Sequence, residues 1–369
     1  MKVAMTIESL WHRVPGGTAR YTAELAAALD RRSDTSVVGL AALHRGAPSA
    51  PWASPVPVVS MGLPRPALYE AWTRSSRISP DNRIDGAQVL HATSVVAPPT
   101  RLPLVVTVHD LAFSDPRAGF SKRARRLLER AWRTVTDRAD AVIAPSQATA
   151  QELVAGGLSS ARLHVVAEGV RAAPVSAADR ARVRQRYGLQ RPFVLSVGTM
   201  EPRKNIGGVL EVFTKVAPRY DVDLVLAGPP GWGRSLSELA SDTAAPTERI
   251  HPLGFVPDDD LRALYAEATV FLYPSWSEGF GLPVLEAMAQ GTAVVTSSGT
   301  ATEEVCGDAG ITVDPANRGR MVAAVVWLLD HESEREEMGA AGTRRAGLFT
   351  WERAAESTRA VYEEVAASS

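Results

Sequence analysis

Phe271–Gly291 reads FLYPSWSEGFGLPVLEAMAQG. The apolar run Val270–Tyr273 predicts a strand that ends at Pro274. A loop holding Gly279 and Gly281 follows, and Pro283 stands where the first turn of a helix accepts a proline without losing a needed N–H. Glu278 lies in the loop, and Glu286 lies about one turn inside the helix. Strand, glycine loop and helix N-terminus together aim free backbone N–H groups, and the positive end of a helix dipole, at one point. Such a point suits a phosphate, with the two glutamates placed to accept hydrogen bonds from sugar hydroxyls beside it. The same pair also suits a plain helix start, where negative charge is favoured anyway.

The remainder of the chain repeats this alternation. Met1–Ile7 predicts a first strand, followed by a loop with Gly16 and Gly17 and a helix over Thr18–Leu29 that Thr18 can cap. Strands follow at 36–43, 89–91, 104–109, 141–145 and 163–166, while residues 44–66, rich in Pro, Ala and Ser, read as an exposed connection. A short helix capped by Ser176 and ended by Gly188 marks a linker over 171–190. A second series then runs through strands at 193–198, 223–228, 250–255, 269–274 and 293–298, with helices at 205–216, 258–268 and after Pro283, and it closes on helices ending with Trp351–Val365. Strands alternating with helices predict α/β units with parallel sheets covered on both faces, and ligands at the C-terminal strand ends.

The 369 residues exceed one ordinary core and predict two domains. No apolar run approaches the roughly 20 residues of a membrane span, and the first ten residues read as a buried strand rather than a signal peptide. The single cysteine, Cys306, excludes an intrachain disulfide and fits a reducing, cytoplasmic setting. Net charge is −1, which speaks against a nucleic-acid partner, yet residues 1–170 hold 20 basic and 14 acidic side chains. That excess lies in Arg117–Arg138. Within it, residues 121–136 (SKRARRLLERAWRTVT) form an amphipathic helix with Arg123, Arg126, Arg130 and Arg133 beside or opposite its apolar stripe. An ordinary surface helix fits this pattern, and so does peripheral contact with anionic lipid at the inner face of the plasma membrane.

Four further stretches carry chemistry. Met200–Asn205 (MEPRKN) puts Arg203 and Lys204 just past a strand, where paired cations neutralise a diphosphate. Gly16-Gly17 permits close backbone approach to an anion, or serves a tight turn. Thr107–Asp110 (TVHD) delivers His109 to a strand end, where it can bond a substrate hydroxyl, transfer a proton or simply be satisfied by backbone. Asp221 and Asp223 imitate a metal-binding Asp-x-Asp but sit at the wrong end of their strand, and Asp258–Asp260 reads as helix capping. No histidine pair has zinc spacing. No metal site is expected.

Taken together, GG-AR-YT (16–22), VVTVHDLAF (105–113), APSQAT (144–149), SVGTMEPRKN (196–205), LVLAGPPGWG (224–233), the long block 253–297 and GDAGITVDP (307–315) resemble retaining glycosyltransferase family 4. The subset most similar holds bacterial mannosyl- and related transferases for surface polysaccharides and glycolipids. The resemblance implies the GT-B fold: two doubly wound Rossmann-like α/β domains facing a central cleft. An acceptor-binding domain would span 1–170 and a nucleotide-sugar-binding domain 191–348, with 349–369 a helix returning to the first domain. It also implies a nucleotide-diphospho-sugar co-substrate (GDP-mannose or a UDP-sugar), a glycan or glycolipid acceptor, and no required cofactor. Arg203 and Lys204 would hold the diphosphate, Glu286 the ribose, and Glu278 with the backbone of Gly279, Phe280, Gly281 and Leu282 the sugar. His109 would also touch the sugar, Gly16 and Gly17 the phosphates, and Thr199 and Phe255 would complete the donor site. Thr199 departs from the family, many of whose members have Arg there. A nucleotide-sugar epimerase or hydrolase on the same fold, or a silent nucleotide-binding partner subunit, are the rival readings.

Overall fold

Short apolar runs that bury both faces suit parallel strands, and the described residues of the computed structural model form two parallel sheets. The structure describes residues 1–12, 16–49, 52–74, 78–115 and 118–368. In the first half, strands β1 (Lys2–Thr6), β2 (Ser36–Ala41), β3 (Val58–Ser60), β4 (Val89–Ala92), β5 (Leu104–Thr107), β6 (Ala141–Ala144) and β7 (Leu163–Val165) form one sheet. Its order is β3-β2-β1-β4-β5-β6-β7, with β1 and β2 in register from Lys2↔Ser36 to Thr6↔Leu40. Helices α1 (Gly16–Asp30), α2 (Arg65–Arg74), α3 (Lys122–Arg138) and α4 (Gln147–Ala155) accompany it. Seryl caps start the last two: Ser121 accepts from the Ala124 amide, and Ser146 from that of Thr149.

The second sheet holds β8 (Phe193–Val197), β9 (Asp223–Ala227), β10 (Ile250–Gly254), β11 (Val270–Tyr273), β12 (Val294–Ser297) and β13 (Ile311–Val313), in the order β10-β9-β8-β11-β12-β13. Its helices are α5 (Ala177–Tyr187), α6 (Ile206–Val216), α7 (Leu236–Thr243), α8 (Asp258–Glu267), α9 (Leu282–Ala289), α10 (Ala301–Cys306), α11 (Arg318–Asp330) and α12 (Glu332–Ala346). Both sheets are doubly wound, and strand order reverses between β1 and β4 in one and between β8 and β11 in the other. The last helix, α13 (Trp351–Ala367), buries Trp351, Ala354, Ala355, Thr358, Val361, Tyr362 and Val365, a three- to four-residue repeat that makes one continuous stripe against α1. Trp351–Ser369 belongs to the first compact unit and Val170–Thr350 to the second.

Several local expectations change. Gly16 and Gly17 begin α1 instead of forming a loop, so Thr18 lies inside the helix rather than capping it; Val14 and Pro15 fall outside the described residues. Residues 44–66 contain β3, paired to β2 through Leu40↔Val59, and the start of α2. Their exposed, mixed composition concealed an edge strand, because only one side of such a strand is paired.

The 171–190 stretch lies within the second unit rather than linking two. Ser176 and Gly188 (φ 66°) do bound α5 as expected. However, the helix is held down by the buried Asp260, which pairs with Arg182 and Arg186 and accepts from Tyr187, and by a second pair, Arg184–Glu267. Asp260 is therefore a clamp rather than a cap: the N-cap of α8 is Pro257, which makes no side-chain bond.

Candidate donor-phosphate site

The loops after three adjacent strands of the second unit converge. Beyond β8 and β9 stand Gly198 (φ 147°) and Gly228 (φ 149°), and a Cβ on Gly228 would lie 2.0 Å from the Gly198 carbonyl oxygen. Only glycine tolerates that approach in this backbone region. After Gly198 a 3-10 turn, Pro202–Lys204, ends at Asn205 (φ 55°). Asn205 Nδ2 donates to the Pro274 carbonyl at 2.9 Å, and the Trp276 amide donates to the Arg203 carbonyl at 2.9 Å. These two bonds fasten the MEPRKN loop to the loop after β11.

This fastening assembles a charged cluster. Lys204 Nζ lies 2.8 and 3.0 Å from the two Glu278 oxygens and donates to Tyr273 Oη at 2.6 Å. The Tyr273 hydroxyl in turn donates to Glu278 Oε1 at 2.9 Å. Arg203 reaches Glu278 Oε2 and the Ser277 carbonyl, each at 3.1 Å, and sets Nε and NH2 on Glu201 Oε1 at 3.1 and 2.9 Å. Only 7% of the Glu278 side chain and 12% of Lys204 is exposed. Burial alone would raise the Glu278 pKa, but Lys204 and Arg203 outweigh it and hold the carboxyl down at about 2. Burial also draws Lys204 below the usual lysine range. The ion pairs thus set two basic side chains against two carboxyl groups.

Glu278 was expected to meet a sugar; it faces Arg203, Lys204 and Tyr273 instead. Glu201 and Tyr273 had not been singled out. Glu201 adjoins the basic pair in MEPRKN, and Tyr273 is the one hydroxyl-bearing residue of its strand, and these were the available signals.

Beside the cluster, Gly281 (φ 110°) starts α9, and a Cβ there would meet Thr302 Cγ2 at 2.8 Å. Pro283 occupies the first turn, and Glu286 accepts from Tyr265 Oη at 3.0 Å. Gly279, Phe280, Gly281 and Leu282 are all buried. The Phe280 ring packs edge-on against Phe349 at 5.9 Å. Thr199 is half-buried and its Cγ2 lies against Gly231; it shapes the loop and adds no charge. Phe255 is 53% exposed. A cavity of about 490 Å³ opens over the ends of β8, β9 and β10, lined by Met200, Gly228, Trp232, Ser235 and Gly254 among others.

In the first unit, Gly16 (φ 59°) and Gly17 are exposed at the start of α1. His109 follows β5. Its Nδ1 lies 3.0 Å from Glu168 Oε1, its Nε2 lies 3.2 Å from the Thr93 carbonyl oxygen, and Tyr21 meets its ring edge-on at 4.7 Å. Glu168, buried and 59 residues away, had no sequence signal tying it to His109. On α3, Ala131, Trp132 and Val135 are buried, and Lys122, Arg123, Arg126 and Arg133 are exposed. Arg130 is not part of the open face, because it pairs with Glu70 at 2.8 Å. Asp223 is occupied by Arg191, Arg249 and His251, and no cluster of three metal-ligating side chains exists among the described residues. No helix of the described residues is long and apolar enough to cross a membrane.

Residues 15–173 match the family described as Glycosyltransferase Family 4, and residues 179–345 match Glycosyl transferases group 1. The O-antigen chain mannosyltransferase B of Escherichia coli is 32% identical over 284 residues, covering 74% of this chain and 74% of that protein. The alpha-maltose-1-phosphate synthase of Mycolicibacterium smegmatis is 30% identical over 404 residues, covering 100% of both. Among solved structures, Anabaena HepE in complex with UDP and glucose aligns with a TM-score of 0.78 at 19% identity over 98% of each chain.

Proposed function

The chain belongs to glycosyltransferase family 4, as a hexosyltransferase of GT-B fold acting in glycan synthesis, and we propose that it transfers mannose, with retention, from GDP-mannose to a hydroxyl of a surface glycan or glycolipid. One observation carries the donor assignment. Arg203 and Lys204 stand together, mostly covered, where the loops after β8 and β11 meet, beside the N-terminus of α9. In this reading the diphosphate takes over as partner of the two cations, the positive end of the α9 dipole adds to its binding, Glu286 holds the ribose and Glu278 turns to the sugar. Phe255 and Thr199 border the bound nucleotide. Gly16 and Gly17 approach the phosphates and His109 the sugar. The similarity to a mannosyltransferase supports mannose, and the UDP held by HepE makes a UDP-sugar the competing donor.

The family membership supports retention, and the carboxylates bear on the route to it. Glu278 and Glu201 are committed to cations and stand as ligands to charge, not as nucleophiles. The acceptor oxygen forms its bond to the anomeric carbon on the face from which the phosphate oxygen leaves. The proton of the acceptor hydroxyl passes to that departing oxygen. Stabilisation of the nucleoside diphosphate by Arg203, Lys204 and the helix N-terminus supplies most of the rate. Since side chains meet the diphosphate charge, no divalent ion is required.

The test is a thermal-shift panel of nucleotide sugars with the full-length protein, followed by product analysis on mannose-terminated oligosaccharides with and without EDTA. GDP-mannose should raise the melting temperature most, and EDTA should leave the rate unchanged. A larger shift with UDP-sugars would replace the donor, and strict Mn²⁺ dependence would overturn the metal-free mechanism.

The exposed cations of α3 further support work at the inner, anionic face of a membrane, at about 1 kcal/mol for each cation near the surface. Cosedimentation with phosphatidylserine vesicles should fall sharply when Arg123, Arg126 and Arg133 are all changed to Glu. Equal sedimentation of both proteins would leave α3 as an ordinary surface helix.

A further inference from the structure

We propose that Glu168 holds His109 as an imidazolium, so that His109 serves transfer as a fixed cation, not as a base. The functional half of this rests on the glycosyltransferase reading; the protonation half stands on geometry alone.

A neutral imidazole carries one N–H and one lone pair. His109 meets an oxygen at both nitrogens, the Glu168 carboxylate at 3.0 Å and the Thr93 backbone carbonyl at 3.2 Å. A carbonyl can only accept, and an ionised carboxylate can only accept. A lone pair on either nitrogen would face an oxygen lone pair, in a pocket where His109 is mostly buried and Glu168 is 4% exposed. Two N–H groups satisfy both oxygens, and the positive charge they bring is neutralised by Glu168.

A second buried histidine in the same sheet provides the contrast. His91 Nδ1 lies 2.6 Å from Tyr362 Oη, and its Nε2 lies 2.8 Å from Thr107 Oγ1. Both partners are hydroxyls, able to donate or accept, so they accommodate a neutral ring. Burial, reinforced by the nearby charge of His109, pushes the His91 pKa down to about 3. For His109 burial acts in the same direction, but the Glu168 hydrogen bond and charge, with smaller help from Asp110 and Thr93, outweigh it and hold the pKa above the usual value. Tyr21 is the other titratable group packed on the ring; its hydroxyl is turned to Thr107 Oγ1 at 2.7 Å, and burial keeps it neutral. The two imidazoles, one fully and one mostly buried, differ in their partners and thus rest in opposite charge states.

Glu168 is accordingly a positioning residue. It orients the ring and fixes its charge, so that the imidazolium can oppose negative charge developing on a leaving phosphate. The sequence holds seven histidines, few enough for selective ¹⁵N-histidine labelling of the full chain, with the His109→Asn spectrum assigning the signal.

At pH 7.5 the wild type should show both His109 nitrogens protonated, with titration only above the usual imidazole range. Glu168→Gln should leave one nitrogen unprotonated at that pH and lower kcat about tenfold or more, with KM for the donor little changed. Lowering the pH should recover part of that loss, and Glu168→Asp should retain the wild-type spectrum. A wild-type signal with one bare nitrogen at pH 7.5, or a Glu168→Gln signal that stays doubly protonated, would overturn the proposal. Since the spectra need no substrate, a chain that transfers no sugar at all would sink the transferase reading while the imidazolium assignment stood.

Discussion

Lys204→Ala is expected to slow sugar transfer by about two to three orders of magnitude while the protein stays folded. Lys204 is placed by three contacts, two to Glu278 and one to the Tyr273 hydroxyl, and its stem runs 3.5–3.7 Å from where a Gly198 Cβ would stand. It is therefore a point charge delivered on a fixed arm. Such a cation acts mainly where charge develops, on the departing diphosphate, so kcat should fall more than the donor KM rises. The fold should survive because Glu278 keeps Arg203 as a partner at 3.1 Å. Lys204→Arg should not restore activity, since a planar fork does not fill the place of a compact ammonium. Initial rates at saturating donor, set beside thermal unfolding, check this; near-normal turnover in the alanine variant would remove the diphosphate assignment.

Glu278→Gln should have the largest effect on stability. It leaves two cations, only 12% and 21% exposed, facing one another with Glu201 as the remaining carboxylate. Breaking a buried ion pair from one side costs about 3–5 kcal/mol. A nucleoside diphosphate should compensate part of that cost by becoming the new partner of the cations. It should then raise the melting temperature of Glu278→Gln by more than it raises that of the wild type. Equal shifts in both proteins would mean that the ligand does not meet Arg203 and Lys204.

The acid limb gives an independent check. The folded pKa of Glu278, about 2, lies below its ordinary value of 4.5. Its contribution to stability is therefore complete above pH 4.5 and lost as pH falls towards 2. The stability gap between wild type and variant should close across that window in urea titrations run at successive pH values.

Much of the architecture was legible because parallel strands bury both faces and leave unbroken apolar runs, as in Ala141–Ala144 and Val270–Tyr273. A serine cap and a left-handed glycine bounded α5 where they were predicted, at Ser176 and Gly188. Edge strand β3 escaped because it is three residues long and mostly exposed, so it carries no buried run. Asp260 was taken for a helix cap because three aspartates after a proline fit that local pattern. Nothing local announces that Arg182, 78 residues earlier in the chain, comes back to it.

The same division runs through the site. The chain by itself determined the units: a strand that stops at Pro274, two glycines, a helix begun with Pro283, and a basic pair placed just beyond another strand. Those features follow from φ/ψ limits, missing N–H groups and side-chain periodicity, which act over a few residues. Pairing was decided only in three dimensions. That Glu278 closes on Lys204 and Arg203, 74 and 75 residues away, and that His109 meets Glu168, depends on strand order bringing distant loop ends together. The charge state of each group depends on the same thing, because a buried charge persists only where its partner is also delivered.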